Sequence, residues 1–327
     1  MIDPRKKQLL KRPAIPRPLV IELRQLRRHF GSTRAVDDVS FEIERGRVFG
    51  FIGPNGAGKT TSMRILATLD QPTAGDAFVD GFSVCDDPDR VRRRLGFMPD
   101  YFGTYANMNV REYLDFFARA YGLRGDERRR ACSYTMDFTQ LDRLATKPIN
   151  GLSKGMKQRL CLGRTMIHDP AVLILDEPAA GLDPRARIEL REMIRRLAAD
   201  GKTIMVSSHI LTELAEMCDV VGIIELGRML AVGTVAEIQR GQRRHAEVQV
   251  RVLGGAAAIA PWLEARGDIR EIRIDGETAL FHHDGDVQSE ADLLRELIAA
   301  GFRVAAFGGR TSSLEDVFMQ VTAGKVQ

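Results

Sequence analysis

The sequence has no run of some 18 apolar residues, so nothing in it reads as a segment that spans a bilayer by itself. It has no C-x-x-C pair. Its four cysteines, Cys85, Cys132, Cys161 and Cys218, are scattered, which argues against a disulfide framework and structural zinc and for a reducing cytosol. The first residues, Met1 to Pro13, are basic but lack the apolar stretch of a secretory signal. Residues 1–18 are rich in Lys, Arg and Pro and read as a disordered basic tail. Charge is not in large excess either: the formal net charge of +4 does not by itself argue for nucleic acid, and no nucleic-acid partner is expected.

What is present is a 327-residue chain with 44% hydrophobic content, enough for about two domains. It is organised around Gly53-Pro54-Asn55-Gly56-Ala57-Gly58-Lys59-Thr60-Thr61. An apolar run, Val48–Ile52, reads as a buried strand before it, and Ser62–Leu69 has helical apolar spacing after it. Strand, glycine-rich loop and helix are the context that turns a G-x-x-x-x-G-K-[ST] match into a phosphate site. Glycines let backbone N–H groups curl around a polyphosphate, and the helix points its positive end at the same anion. Lys59 supplies a point charge for the β and γ phosphates, and the Thr60 hydroxyl suits Mg²⁺.

Several further strands are legible: Leu19–Arg24, Val39–Ile43, an edge strand at Ala77–Gly81, and Leu95–Pro99. Val110 to Tyr121 carries apolar residues at helical intervals, and further helix is expected through Leu144, so residues 101–160 read as a helical insertion. Ala171–Leu175, Thr203–Ser208 and Val220–Glu225 are continuous apolar runs of the kind buried on both faces of a parallel sheet, with an amphipathic helix at Arg185–Ala199. The fold class is therefore α/β. After a polar stretch at 241–245, residues 241–327 read as a separate small domain of β-α-β-β-α-β order, ferredoxin-like, with a last helix holding Leu314, Val317, Phe318 and Val321.

Leu173-Ile174-Leu175-Asp176-Glu177-Pro178 places a carboxylate at the end of a buried strand. Asp176 is the candidate for reaching Mg²⁺, and Glu177, one residue on, for polarising the attacking water. Ser153, in Asn150-Gly151-Leu152-Ser153-Lys154-Gly155-Met156-Lys157-Gln158-Arg159, opens a helix whose N-terminus is able to hold an anion.

With these motifs in this order, residues 19–240 resemble the nucleotide-binding subunits of ABC transporters, a P-loop NTPase fold with a helical subdomain and an antiparallel edge region. The resemblance implies ATP and Mg²⁺ as cofactors. In that family the Ser153 segment reads Leu-Ser-Gly-Gly-Gln and binds the γ-phosphate held by the opposite subunit; here Ser153 and Gly155 are kept, while Lys154 and Met156 are departures. The resemblance places Asp183, in Ala180-Gly181-Leu182-Asp183, at the dimer contact. It makes His209, after Ser207-Ser208, a hydrogen-bond partner of the γ-phosphate. It sets Phe30 against adenine, with Val36 lining the same pocket. The family expects a glutamine after Leu95–Pro99; Asp100 stands there, a shorter and charged oxygen ligand for Mg²⁺.

The Lys-Gly-Met-Lys-Gln-Arg form, and Ser313-Leu314-Glu315-Asp316-Val317-Phe318 near the end, resemble the branch that exports drugs, lipids or polysaccharides. The implied protein is a peripheral ATPase on the cytoplasmic face of the plasma membrane. It would work with a second, identical ATPase subunit and a separate transmembrane permease, for which the aromatic-rich stretch Tyr101–Tyr121 is a candidate docking surface. The alternative is a soluble ABC-type ATPase acting on ribosomes or DNA. Those resemble two cassettes in one chain or a cassette split by a coiled coil, and this sequence has one phosphate loop and no long heptad run.

Overall fold

The computed structural model describes residues 18–101, 103, 105, 107–208, 210–241, 246–309, 315, 318 and 322. It divides into a larger unit that ends at Val232 and a smaller one from Gly233 to Gly324.

The larger unit opens with a long antiparallel hairpin, β1 (Leu19–Phe30) and β2 (Thr33–Glu44). In β2, Val39, Phe41 and Ile43 are buried between exposed neighbours, the alternation of a half-buried strand. β1 runs six residues beyond the Arg24 at which its apolar pattern stops, through register shifts where Gln25 and Asp38 adopt φ of 47° and 72°.

Next come β3 (Val48–Ile52), α1 (Lys59–Leu66), β4 (Ala74–Val79) and β5 (Phe82–Ser83). The antiparallel sheet has the order β2-β1-β4-β5. β4 is thus not the edge strand its sequence suggests, because the two-residue β5 covers it. Phe41 of β2 stacks on Phe49 of β3 with centroids 4.9 Å apart, which ties the antiparallel sheet to the parallel one. Such a pair adds about 0.5–1.5 kcal/mol beyond its burial.

The remaining elements of this unit are α2 (Pro88–Arg94), β6 (Leu95–Met98), α3 (Val110–Ala120), α4 (Gly125–Phe138), α5 (Lys154–Met166), β7 (Val172–Leu175), α6 (Pro184–Ala199), β8 (Thr203–Ser208), α7 (Leu211–Met217), β9 (Val220–Glu225) and β10 (Arg228–Gly233). A six-stranded sheet orders β10-β9-β3-β8-β7-β6, with parallel pairing from β9 through β6. β3, β7 and β8 are buried along their whole length, as continuous apolar runs require. Register sets Ile52 beside Ser208 and Leu175 beside Val206, so the carboxyl ends of β3, β8 and β7 lie side by side. Ligands of open α/β sheets sit at such ends.

α3, α4 and α5 pack around Val110, Leu114, Leu141, Leu152 and Leu160. The expected helix through Leu144 ends at Phe138 instead: Gln140 takes φ of 56°, and a 3-10 turn follows at Asp142–Leu144. The aromatics of Tyr101–Tyr121 split. Tyr113 is fully buried with Phe117 packed beside it, whereas Tyr105, Phe116 and Tyr121 are exposed.

The smaller unit contains α8 (Val235–Gly241), β11 (Ala246–Val252), α9 (Ala260–Glu264), β12 (Ile269–Asp275), β13 (Thr278–His283), α10 (Val287–Ala299) and β14 (Val304–Gly309). Its strands form one antiparallel sheet, β12-β13-β11-β14, over a core that includes Val250, Phe281, Leu293 and Leu297. From β11 onward this is the β-α-β-β-α-β order expected. The unit starts before the polar stretch at 241–245, since α8 opens there: Thr234 and Glu237 exchange backbone–side-chain hydrogen bonds of 2.9 and 3.2 Å, a capping box. The basic tail up to residue 17 and most of the expected last helix lie outside the described residues.

Candidate active site

The phosphate loop runs from the end of β3 to the start of α1. Gly58 is the N-cap, with φ of +104°, and a Cβ there would collide with the Ala35 carbonyl of β2. Both facts demand glycine. Gly53, Ala57, Gly58 and Lys59 are buried, while Asn55, Gly56 and Thr60 are exposed, with Pro54 and Thr61 between the two. Lys59 is only 6% exposed. It donates to the carbonyls of Gly53 and Pro54 at 2.6 and 3.1 Å, across the mouth of the loop. Burial pushes its pKa down, and the negative charges of Glu177 and Asp176 pull it back up. The turn Leu226–Gly227 braces the loop from behind: the Gly227 N–H donates to the Ala57 carbonyl at 3.0 Å, and the Asp37 N–H donates to the Gly227 carbonyl at 2.8 Å.

At the end of β7, Asp176 is 1% exposed. Burial lifts its carboxyl pKa; hydrogen bonds from Ser207 and Thr60 oppose the lift, and the charges of Glu177 and Asp100 add to it. The Ser207 hydroxyl, on β8, donates to Asp176 Oδ1 at 2.7 Å and accepts from the Glu177 N–H at 2.9 Å. Glu177 itself has φ of +48°, an uncommon conformation for a side-chain-bearing residue and one that costs energy unless its surroundings hold it. Ser207 is that hold, and it carries the contact that the sequence did not disclose. Its only signal is its place in Ser207-Ser208-His209 at the end of a buried strand. Asp100 lies exposed just beyond β6, near enough for its charge to act on Asp176. Thr60, Asp176 and Asp100 are all oxygen donors, a set that suits a hard cation such as Mg²⁺.

His209 lies outside the described residues. Phe30, at the tip of β1, is 48% exposed. Val36 does not join it on an open surface. Its side chain is fully buried in the core, because the pleat of β2 turns it inward. The neighbouring Ala35 is the β2 residue beside the loop, through the carbonyl that faces Gly58.

Ser153 caps α5, accepting from the Met156 N–H at 3.3 Å. Gly155 lets α5 approach α6 closely: a Cβ there would stand 3.0 Å from that of Ala186. The Lys154 amine lies against Gly181, so the side chain that departs from the family pattern rests on the turn before Asp183. Asp183 caps α6, accepting from the Ala186 N–H at 2.9 Å. Arg187 ties this turn to α7, with Nε donating to the Leu182 carbonyl at 2.9 Å and Nη1 3.2 Å from Glu213.

Two family models match the chain: ABC transporter, over residues 36–180, and the DrrA1-3-like ATP-binding protein C-terminal domain, over residues 233–322. The chain is 33% identical over 322 residues to the Nod factor export ATP-binding protein I of Ralstonia nicotianae, covering 96% of this chain and 97% of that one. It is 32% identical over 308 residues to the bacitracin transport ATP-binding protein BcrA of Bacillus licheniformis, covering 93% and 98%. Among solved structures, an ATP-binding subunit of an ABC transporter matches with a TM-score of 0.62 at 32% identity, over 68% of this chain and 92% of that one. A dimeric bacterial ABC transporter cassette matches with a TM-score of 0.60 at 25% identity, over 65% and 98%. Among the described residues no helix is long and apolar enough to cross a membrane. A loop built for phosphate, a buried aspartate with a half-buried glutamate beside it, and relatives matched from end to end agree: this chain belongs to the ATP-binding, ATP-hydrolysing subunits of ABC transporters.

Proposed function

We propose that this subunit powers export. It sits on the cytoplasmic face of the plasma membrane, pairs with an identical copy, and drives a separate transmembrane permease. Support comes from relatives named for Nod factor export and bacitracin transport, which match both units of the chain rather than the cassette alone.

In each site Phe30 stacks on adenine, and the loop Gly53–Thr61 wraps the phosphates with Lys59 as the charge on the β and γ groups. Thr60 and Asp176 would hold Mg²⁺, with Asp100 as a further oxygen donor; when bound, the ion would neutralise charge on the phosphates. Glu177 polarises the attacking water, and His209 hydrogen-bonds the γ-phosphate. Ser153 and Gly155 of the opposite copy close over the same γ-phosphate, with Asp183 at the contact between copies. ATP held across two chains stabilises their association, and loss of the γ-phosphate contacts releases them.

One observation carries this reading: Ser207 locks Asp176 and the strained Glu177 together at the strand end beside Lys59 and Thr60. The test of the transport role is affinity purification of the chain from detergent-solubilised membranes of its own organism, with partners identified by mass spectrometry. A polytopic membrane protein in near-equal amount is expected. Ribosomal or DNA-bound material without a membrane protein would overturn the export role in favour of a soluble factor.

A further inference from the structure

Phe30 is not a lone aromatic at a strand tip. The guanidinium of Arg28, two residues earlier on β1, stands over its ring at 4.2 Å from the centroid. That guanidinium is held in turn by Asp70, with Nη2 2.8 Å from Oδ1 and Nε 3.2 Å from Oδ2. Both side chains are a quarter exposed or less. A two-pronged contact of this kind fixes the plane of the guanidinium as well as its position. Asp70 is fixed from its own side, since the Gln71 N–H donates to its Oδ1 at 2.8 Å. The segment around it is stitched to β1 by Thr73, whose N–H donates to the Arg27 carbonyl at 2.7 Å and whose hydroxyl accepts from the His29 N–H at 3.0 Å.

The direction of this support matters. Asp70 follows the C-terminal end of α1, whereas the phosphate loop precedes the N-terminal end of the same helix. The anchor therefore comes from the end of α1 remote from the phosphate loop. Arg28 covers one face of the ring, and Phe30 is still 48% exposed.

We propose that Arg28, held by Asp70, is a positioning residue that turns Phe30 into a one-sided stacking platform selective for purine nucleotides. This rests on the reading of Phe30 as the base-stacking residue. The cation covers one face and holds the ring still, so a base meets a single prepared surface. Its charge draws electron density toward the covered side. The open face then favours the broad, electron-rich ring system of a purine over the smaller pyrimidine ring.

The experiment is equilibrium binding of ATP, CTP and inorganic tripolyphosphate to the purified full chain and to the variants Phe30→Ala, Arg28→Ala and Arg28→Lys. Phe30→Ala is expected to weaken ATP about tenfold and to leave tripolyphosphate unchanged. Arg28→Ala is expected to weaken ATP about three- to fivefold and CTP less than about twofold, again sparing tripolyphosphate. Arg28→Lys falls between, because an ammonium keeps the charge and loses the flat, two-pronged contact. If Arg28→Ala binds ATP like the wild type while Phe30→Ala does not, the proposal is overturned and the stacking role of Phe30 stands. If Phe30→Ala binds ATP normally, both fall together. If Arg28→Ala weakens tripolyphosphate as much as ATP, Arg28 supports the fold rather than the base, and the proposal is likewise overturned.

Discussion

Ser207→Ala tests whether the junction at the strand ends is what holds Asp176 and Glu177 in place. Ser207 is fully buried, and its hydroxyl makes two bonds, to Asp176 Oδ1 at 2.7 Å and from the Glu177 N–H at 2.9 Å. Alanine removes the side-chain partner of the half-buried Glu177 N–H and one of the two side-chain donors to the buried Asp176, which keeps Thr60. Leaving one such group unsatisfied costs about 1–3 kcal/mol, and with Thr60 still on Asp176 the loss is of that order. In a unit of this size, each kcal/mol moves the melting temperature by about 2–4 °C, so the larger unit should melt about 2–12 °C lower without nucleotide. The catalytic effect should be larger. Glu177 holds φ of +48° with its N–H tied to Ser207, and untying it lets the backbone relax. A displacement of about 1 Å at a reacting group costs about a hundredfold in rate. Calorimetry of the nucleotide-free chain and steady-state hydrolysis at saturating ATP read the two effects separately. A melting temperature within about 1 °C of wild type together with unchanged turnover would refute the reasoning.

Three other outcomes follow from the same geometry. Asp176→Asn should stabilise the nucleotide-free chain at neutral pH while abolishing hydrolysis, because it removes a buried charge. The native carboxyl titrates above the ordinary Asp value, so its penalty is absent where both states are protonated and complete above the raised value. Thermal scans should accordingly show the gain at pH 7 and little of it below about pH 4. His168, whose ring stacks on Tyr121 at 3.7 Å, is pushed down to about 4 by burial. The unfolded chain therefore binds the proton first, stability falls as pH drops from about 6.5 toward that value, and denaturant titrations of His168→Gln should show a flatter pH dependence. Asp100→Gln replaces an anionic oxygen donor by a neutral one and should raise the Mg²⁺ concentration for half-maximal hydrolysis severalfold; an unchanged metal titration would remove Asp100 from the metal's neighbourhood.

How much of this was legible in the sequence follows from the range of the forces involved. β8 and β9 have the bounds expected from their apolar runs, because strands buried on both faces announce themselves without reference to any partner. The amphipathic helix α6 ends at the expected Ala199 and starts one residue before the expected Arg185, at Pro184 after the Asp183 cap. β1 was legible only to Arg24, since its outer half is polar and is kept extended by pairing with β2 through bulges. The burial of Val36 was not legible because neighbouring side chains on a strand face opposite sides, and no motif says which of them the pleat turns inward. Ser207 was invisible for a different reason. Its bond to Asp176 spans 31 residues and exists only because β7 and β8 are parallel neighbours in register. The place of the break between the two units was hidden by α8, a helix of seven residues too short to show a periodic pattern.

The central claim is that hydrolysis by Glu177 separates two copies joined by ATP. Sedimentation of Glu177→Gln in excess ATP and Mg²⁺, beside the wild type, tests it most directly. The variant is expected to run as a stable dimer that disperses when ATP is withdrawn, and the wild type to return to monomer as ATP is consumed. A variant that stays monomeric in ATP while binding it with wild-type affinity, or that hydrolyses ATP at the wild-type rate, would contradict the account.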